Sequence, residues 1–223
     1  MLTQIYEVST PEAAEAISAI GVDHIGLLVG TGEFPREQPL DQAVRIAAGV
    51  RRPSKVSALF LSADPAWIAE AAKALGPDII HLGAAPELLS PQAVAGIKAE
   101  LGGIPIMRSI PVVDEASIAL AASYVGVADL LLLDSYRADD RQIGALGVTH
   151  DWRISRRIVL EVGIPVILAG GLGPENVEAA IAAVGPAGVD SKTRTDLQGS
   201  HAKDLDKVRR FHEAARRAAG QTV

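Results

Sequence analysis

Cysteine is absent from this chain of 223 residues. That absence excludes a disulfide scaffold, a zinc finger, an iron–sulfur centre and a cysteine nucleophile. Positive charge is scarce as well: 21 Lys and Arg stand against 27 Asp and Glu, for a formal net charge of -6. That is the wrong sign for a body that must neutralise nucleic-acid phosphates, so no nucleic-acid partner is expected. A small anionic substrate remains admissible, because a local basic pocket can sit on an acidic protein. No run reaches the roughly 18 uncharged apolar residues of a membrane span. The first residues, Met1 to Glu7, carry neither a basic leader nor an apolar stretch of signal length, which makes the expected location cytoplasmic. Linkers, low-complexity tracts and charge blocks are also missing, and the expectation is one domain over residues 1–223. A chain of this size buries about 70% of its unfolded surface and needs no structural metal. His24, His81, His150, His201 and His212 show no metal-ligand spacing, so neither metal nor cofactor is expected.

What is present is an alternation. Short runs rich in Val, Ile and Leu occur at Gln4 to Val8, His24 to Val29, Lys55 to Leu61, Ile79 to Leu82, Pro105 to Ile110, Asp129 to Asp134, Pro165 to Ala169 and Gly188 to Ser191. Between them lie stretches with helical spacing at Pro11 to Ile20, Leu40 to Gly49, Pro65 to Leu75, Ser90 to Leu101, Asp114 to Val125, Trp152 to Val162, Pro174 to Val184 and Lys203 to Ala219. Proline at a first helical turn after Thr10, Asp64 and Gly173, and glycine at 21, 76, 126, 163 and 185, punctuate the helices. Uninterrupted apolar strands are what a parallel sheet covered on both faces requires. Eight units of about 28 residues predict an α/β fold, a (β/α)8 TIM barrel. An open doubly wound sheet is the alternative, but its glycine-rich nucleotide turn is missing from Val8 to Glu12.

In such a barrel the chemistry lies at the C-terminal ends of the strands. Those ends carry Tyr6 and Glu7, Arg36 in the second loop, His81, Arg108, Asp134, Gly170 and Gly171, then Asp190, Lys192 and Arg194. The segment Pro165 to Val177 is the most specific. A strand runs into paired glycines just before a helix, so that backbone amides and the helix dipole can hold an anion. His81 is a candidate proton shuttle at the rim.

Taken in order, Leu131 to Ser135, Gly144 to Trp152, the Ile167 to Val177 segment and Gly188-Val189-Asp190 resemble phosphoribosylanthranilate isomerase. Phe34-Pro35-Arg36 and Gly199 to Asp204 with Phe211 extend the resemblance over nearly the whole chain. The resemblance implies an Amadori rearrangement, in which a phosphorylated aminoaldose is opened by a general acid and a base moves the proton at C2. On this sequence the implied acid falls on Asp134 and the implied carboxylate anchor on Arg36, a role that suits a planar guanidinium fork. The expected assembly is a monomer or a homodimer.

Three departures stand beside the matches. Where the family's first strand carries a cysteine base, this chain has Gln4-Ile5-Tyr6-Glu7. Tyrosine, with a pKa near 10, is a poor base at neutral pH, whereas glutamate can serve if it points inward. Adjacent strand residues face opposite sides, so both line the mouth only if the strand has already ended. The family's flexible closing loop reads Gly144-Ala145-Leu146-Gly147 here, and the small residues after strand eight are replaced by Lys192-Thr193-Arg194. Those two cations either grip a phosphate or fill its site. Two alternatives remain open: a carbon–carbon lyase or aldolase using Lys192 or Glu7, and a non-catalytic ligand-binding barrel.

Overall fold

Eight parallel strands close on themselves in the order of the sequence, each followed by a helix on the outside. The computed structural model describes residues 1–137, 142–143 and 147–220. The barrel strands are β1 (Leu2–Ile5), β2 (His24–Leu28), β3 (Lys55–Phe60), β4 (Ile79–Leu82), β5 (Ile106–Pro111), β6 (Leu130–Asp134), β7 (Val166–Leu168) and β8 (Gly188–Ser191). The helices are α1 (Pro11–Ile20), α2 (Leu40–Ala47), α3 (Pro65–Leu75), α4 (Pro91–Glu100), α5 (Ala116–Ser123), α6 (Trp152–Glu161), α7 (Val177–Val184) and α8 (Leu205–Ala218). Closure runs through β1 and β8, with Leu2 opposite Gly188 and Gln4 opposite Asp190. No helix among the described residues is long and apolar enough to cross a membrane.

Strand alternation sorts side chains into two layers. Ile5, Ile25, Leu27, Phe60, Leu131 and Leu133 face outward and pack with the helices into the larger core. Tyr6, Ile79, Met107, Leu132, Ile167 and Ala169 fill the barrel itself. Asp134 continues the inward series of β6, and Asp190, opposite Gln4, continues that of β8. Local chemistry fixes the helix starts. Thr10, Asp64, Ser90, Asp151 and Asp204 each accept a hydrogen bond from a first-turn amide, a cap worth about 1 kcal/mol apiece.

Three local expectations need correction. β1 ends at Ile5 rather than Val8, because Glu7 takes a left-handed backbone (φ 57°) that no strand tolerates. α7 starts at Val177, not Pro174. The Asn176 side chain accepts from the Gly173 amide (2.9 Å) and donates to the Gly171 carbonyl (3.0 Å), holding Gly171 to Asn176 as a turn. A short antiparallel hairpin, Tyr136–Arg137 with Gln142–Ile143, follows β6 and was not legible as strand. The divergent Gly144-Ala145-Leu146 lies outside the described residues.

Candidate active site

Asp134 is the last residue of β6 and is only 9% exposed. Its Oδ1 accepts from the Ser135 amide at 2.7 Å and from the Ser135 hydroxyl at 3.3 Å. Burial outweighs those hydrogen bonds and pushes its pKa up to about 7. Asp190 lies in the same cup, where burial, and then the charge of Asp134, hold its carboxyl well above the usual range. Gln4 donates to Asp190 at 3.2 Å and meets His24 Nδ1 at 3.1 Å through its own carbonyl, which anchors the carboxyl from the barrel floor. Two carboxyls forced together in a dry site favour the protonated form.

The rest of the cup is made by Gly147, Gly170, Gly171, Leu172, Lys192, Thr193 and Arg194, which close around a narrow space of about 20 Å³. Gly170 (φ 82°) is there from necessity. A Cβ on it would stand 2.8 Å from His150 Nδ1 and 3.3 Å from Asp134 Oδ1. His150 therefore packs against Gly170, with Nε2 meeting the Ser155 hydroxyl at 2.7 Å and Nδ1 without a partner among the described residues. Burial lowers its pKa to about 4, so it is neutral at pH 7.

Tyr6 and Glu7 part company at the end of β1. The Tyr6 ring turns into the barrel against Gly26, where any Cβ would collide with it at 2.2 Å. Its hydroxyl meets Ser57 Oγ at 2.7 Å and His81 Nδ1 at 2.6 Å, while His81 Nε2 meets Ser109 Oγ at 2.7 Å. Burial pushes the Tyr6 pKa well above its ordinary value; burial, and then Arg108, bring His81 down to about 3. The network is closed and neutral. Its groups spend their hydrogen bonds on one another inside the barrel.

Glu7 instead joins a charged cluster at the mouth. Arg36 grips it with two nitrogens, at 2.6 and 3.2 Å, and Lys192 Nζ approaches to 3.3 Å. Burial pushes the Glu7 carboxyl up, but the Arg36 hydrogen bond and the charges of Lys192 and Arg36 hold it below its ordinary pKa. Lys192 also pairs with Asp196 at 3.2 Å, and Asp196 with the buried Lys203 at 2.5 Å. An amine engaged by two carboxylates is not free to attack a carbonyl as a Schiff-base nucleophile. Among the described residues, Glu7 and Arg36 (φ 68°) are the two non-glycines with positive φ. Each left-handed residue costs about 1–2 kcal/mol, and such strain collects at functional sites.

Arg108 is not brought to the cup. It lies on the outer face of β5, fully buried over the Tyr124 ring at 4.9 Å, and donates to the Leu82 carbonyl at 2.8 Å. It follows Met107, an inward residue, and so points the other way. Arg194 does line the cup and reaches the Gly147 carbonyl at 3.4 Å. Sequence reasoning passed over Gln4, Asp196 and Lys203 as site residues. The spacing of Gln4 from Tyr6, two apart on one strand, was the signal available for the first.

A closed (β/α)8 barrel whose mouth gathers buried carboxyls, cations and a glycine turn has the build of an enzyme of that class. Comparison with known proteins narrows that class. The chain belongs to the N-(5'-phosphoribosyl)anthranilate isomerase family, whose pattern matches residues 5–214. The N-(5'-phosphoribosyl)anthranilate isomerase of Methanocella arvoryzae is 37% identical over 210 residues, covering 93% of this chain and 94% of that protein. The Haloferax volcanii protein of the same name is 36% identical, covering 92% and 88%. Among solved structures, the Pyrococcus furiosus N-(5'-phosphoribosyl)anthranilate isomerase superposes with a TM-score of 0.78 at 26% identity, covering 97% of this chain and 99% of that one.

Proposed function

We propose that this protein carries out the aldose–ketose isomerisation of its family, converting a phosphorylated aminoaldose to the aminoketose in tryptophan biosynthesis, with Asp134 as general acid. The observation that carries the assignment is a buried carboxyl at the end of β6 whose pKa lies at about 7, facing a cup with Gly170, Gly171 and Arg194. An acid with a pKa near the working pH is both protonated and able to give its proton up.

The reaction needs a proton donor for ring opening and a proton acceptor at C2. Asp134 protonates the ring oxygen as the C1–O bond breaks, and the nitrogen lone pair forms C1=N⁺. A base then takes the C2 proton. The C2–H electron pair becomes C1=C2 and neutralises the nitrogen. Return of a proton to C1 and loss of the 2-hydroxyl proton give the ketone. The sugar's anionic group is assigned to the Gly170 and Gly171 turn with Lys192 and Arg194, whose side chains must give way to admit it. The base is the harder assignment. Tyr6 and His81 are tied into the barrel's own hydrogen bonds, and burial with the charge of Asp134 shifts the Asp190 carboxyl well above the usual range, which disfavours it as a base. Glu7 is the ionised carboxylate that remains at the mouth. The lyase reading finds no support in Lys192, whose ammonium sits between Glu7 and Asp196.

The test is Asp134→Asn assayed with N-(5'-phosphoribosyl)anthranilate. Loss of a general acid lowers kcat by about 10²–10⁴-fold, with KM changed by less than about threefold, because the amide keeps the shape of the carboxyl. Turnover at the wild-type rate would remove Asp134 from the mechanism.

A further inference from the structure

Beside the cup lies a second cavity of about 160 Å³, lined by Glu7, Val8, Ser9, Leu28, Arg36, Gln38 and His201. Glu7 on its wall stands 3.3 Å from Lys192, which lines the cup, so the two spaces meet at that ion pair. On the other side Glu7 is clasped by Arg36, and both residues of the pair hold backbone conformations that side chains disfavour. Arg36 is a third exposed, whereas the Glu7 side chain is 10% exposed. An incoming ligand therefore meets the cation first. As the chain stands, the carboxylate best placed to accept a proton is neutralised by the cation best placed to greet an anion.

We propose that Glu7 and Arg36 form a counter-ion latch: a carboxylate on the ligand takes the Arg36 guanidinium, and Glu7, released but still beside Lys192, turns to the cup as the proton acceptor. The ligand class is an aminosugar phosphate bearing a carboxylate on its amine substituent. Planar carboxylates exchange readily on one guanidinium fork, since each makes the same paired hydrogen bonds. Lys192 keeps the freed carboxylate ionised without spending both of its oxygens, and Asp196 holds Lys192 in place at 3.2 Å. The exchange ties the arrival of substrate to the appearance of the base. The inference rests on the isomerase reading for its catalytic half alone.

The experiment separates binding from turnover. Anthranilate, the free carboxylate, is titrated against wild-type protein, Glu7→Gln and Arg36→Gln by calorimetry, and each is assayed with the aminoaldose phosphate. Since Glu7 competes for Arg36, Glu7→Gln should bind anthranilate about tenfold more tightly, the equivalent of about 1.4 kcal/mol, and lower KM. The same change should cut kcat at least a hundredfold. Arg36→Gln should weaken anthranilate by tenfold or more. Glu7→Asp should recover part of the lost turnover, and it carries the test if Glu7→Gln fails to fold. Unchanged or weaker anthranilate binding by Glu7→Gln, or turnover within threefold of wild type, overturns the latch. Because the calorimetric arm needs no chemistry, an active Asp134→Asn would defeat the proposed acid while leaving the exchange standing. A failed exchange with an inactive Asp134→Asn would defeat the latch alone.

Discussion

Tyr6 and Glu7 are neighbours in the chain and belong to different chemistries. Tyr6 closes a dry network with Ser57, His81 and Ser109 inside the barrel, in which hydroxyls and imidazole nitrogens meet within 2.7 Å and the imidazole is neutral. Glu7, one residue on, enters a chain of charges running through Arg36, Lys192, Asp196 and Lys203 around the mouth. The interior is built of groups whose pKa values lie far from neutrality, and it serves as a floor. The mouth and cup hold the charged cluster of Glu7, Arg36 and Lys192 and, in Asp134, a carboxyl poised near pH 7, and the proposed chemistry belongs to them. A barrel can therefore place inert and reactive polar groups one peptide apart, provided the strand ends between them.

If that division is right, substitutions in the two regions part stability from turnover in opposite ways. The largest effect is at Asp134. Its folded pKa of about 7 exceeds the unfolded value near 4, so the folded state keeps a proton that the unfolded chain loses. Stability therefore falls as pH rises from about 4 to about 7 and levels off above. Asp134→Asn, which carries no ionisable proton, should be more stable than wild type at pH 8 by up to about 4 kcal/mol in urea unfolding, and should lose most of that advantage at pH 4. No gain at pH 8 would mean that the carboxyl is solvated rather than buried. Next comes Lys203→Met. It strips a partner from the buried Asp196 and should cost about 3 kcal/mol of unfolding free energy; a neutral result would show that Lys192 alone satisfies that carboxylate. Smallest is Tyr6→Phe. It leaves His81 Nδ1 and Ser57 without their hydroxyl partner and should cost about 1–3 kcal/mol, with kcat within about threefold of wild type. A hundredfold fall in kcat would move Tyr6 from the floor into the chemistry and erase the comparison.

Much of this was legible before the structure. The alternation of apolar runs and capped helical stretches carried the barrel, because a doubly covered parallel strand cannot alternate polar and apolar residues. Glycines 21, 76, 126, 163 and 185 all take positive φ at or just beyond helix ends, as their positions required. Asp134 was readable as a strand-end carboxyl. Arg108 was misplaced because it sits in mid-strand, with β5 running on to Pro111, and because its neighbour Met107 takes the inward face, a choice between alternate faces that the apolar run does not reveal. His81 and Tyr6 sit at the level of the rim by count, yet local sequence does not say that they bond to each other across Ser57 and Ser109. The late start of α7 depended on where Asn176 found its hydrogen bonds, a tertiary outcome. The ion cluster joins residues nearly two hundred positions apart and has no sequence period to reveal it.

The most direct test of the central claim is the pH dependence of kcat for the wild-type enzyme between pH 5.5 and 9, with N-(5'-phosphoribosyl)anthranilate at saturation. A general acid whose pKa is about 7 predicts a rate that falls about tenfold per pH unit above that value. A rate that stays level to pH 9 would contradict Asp134 as the proton donor.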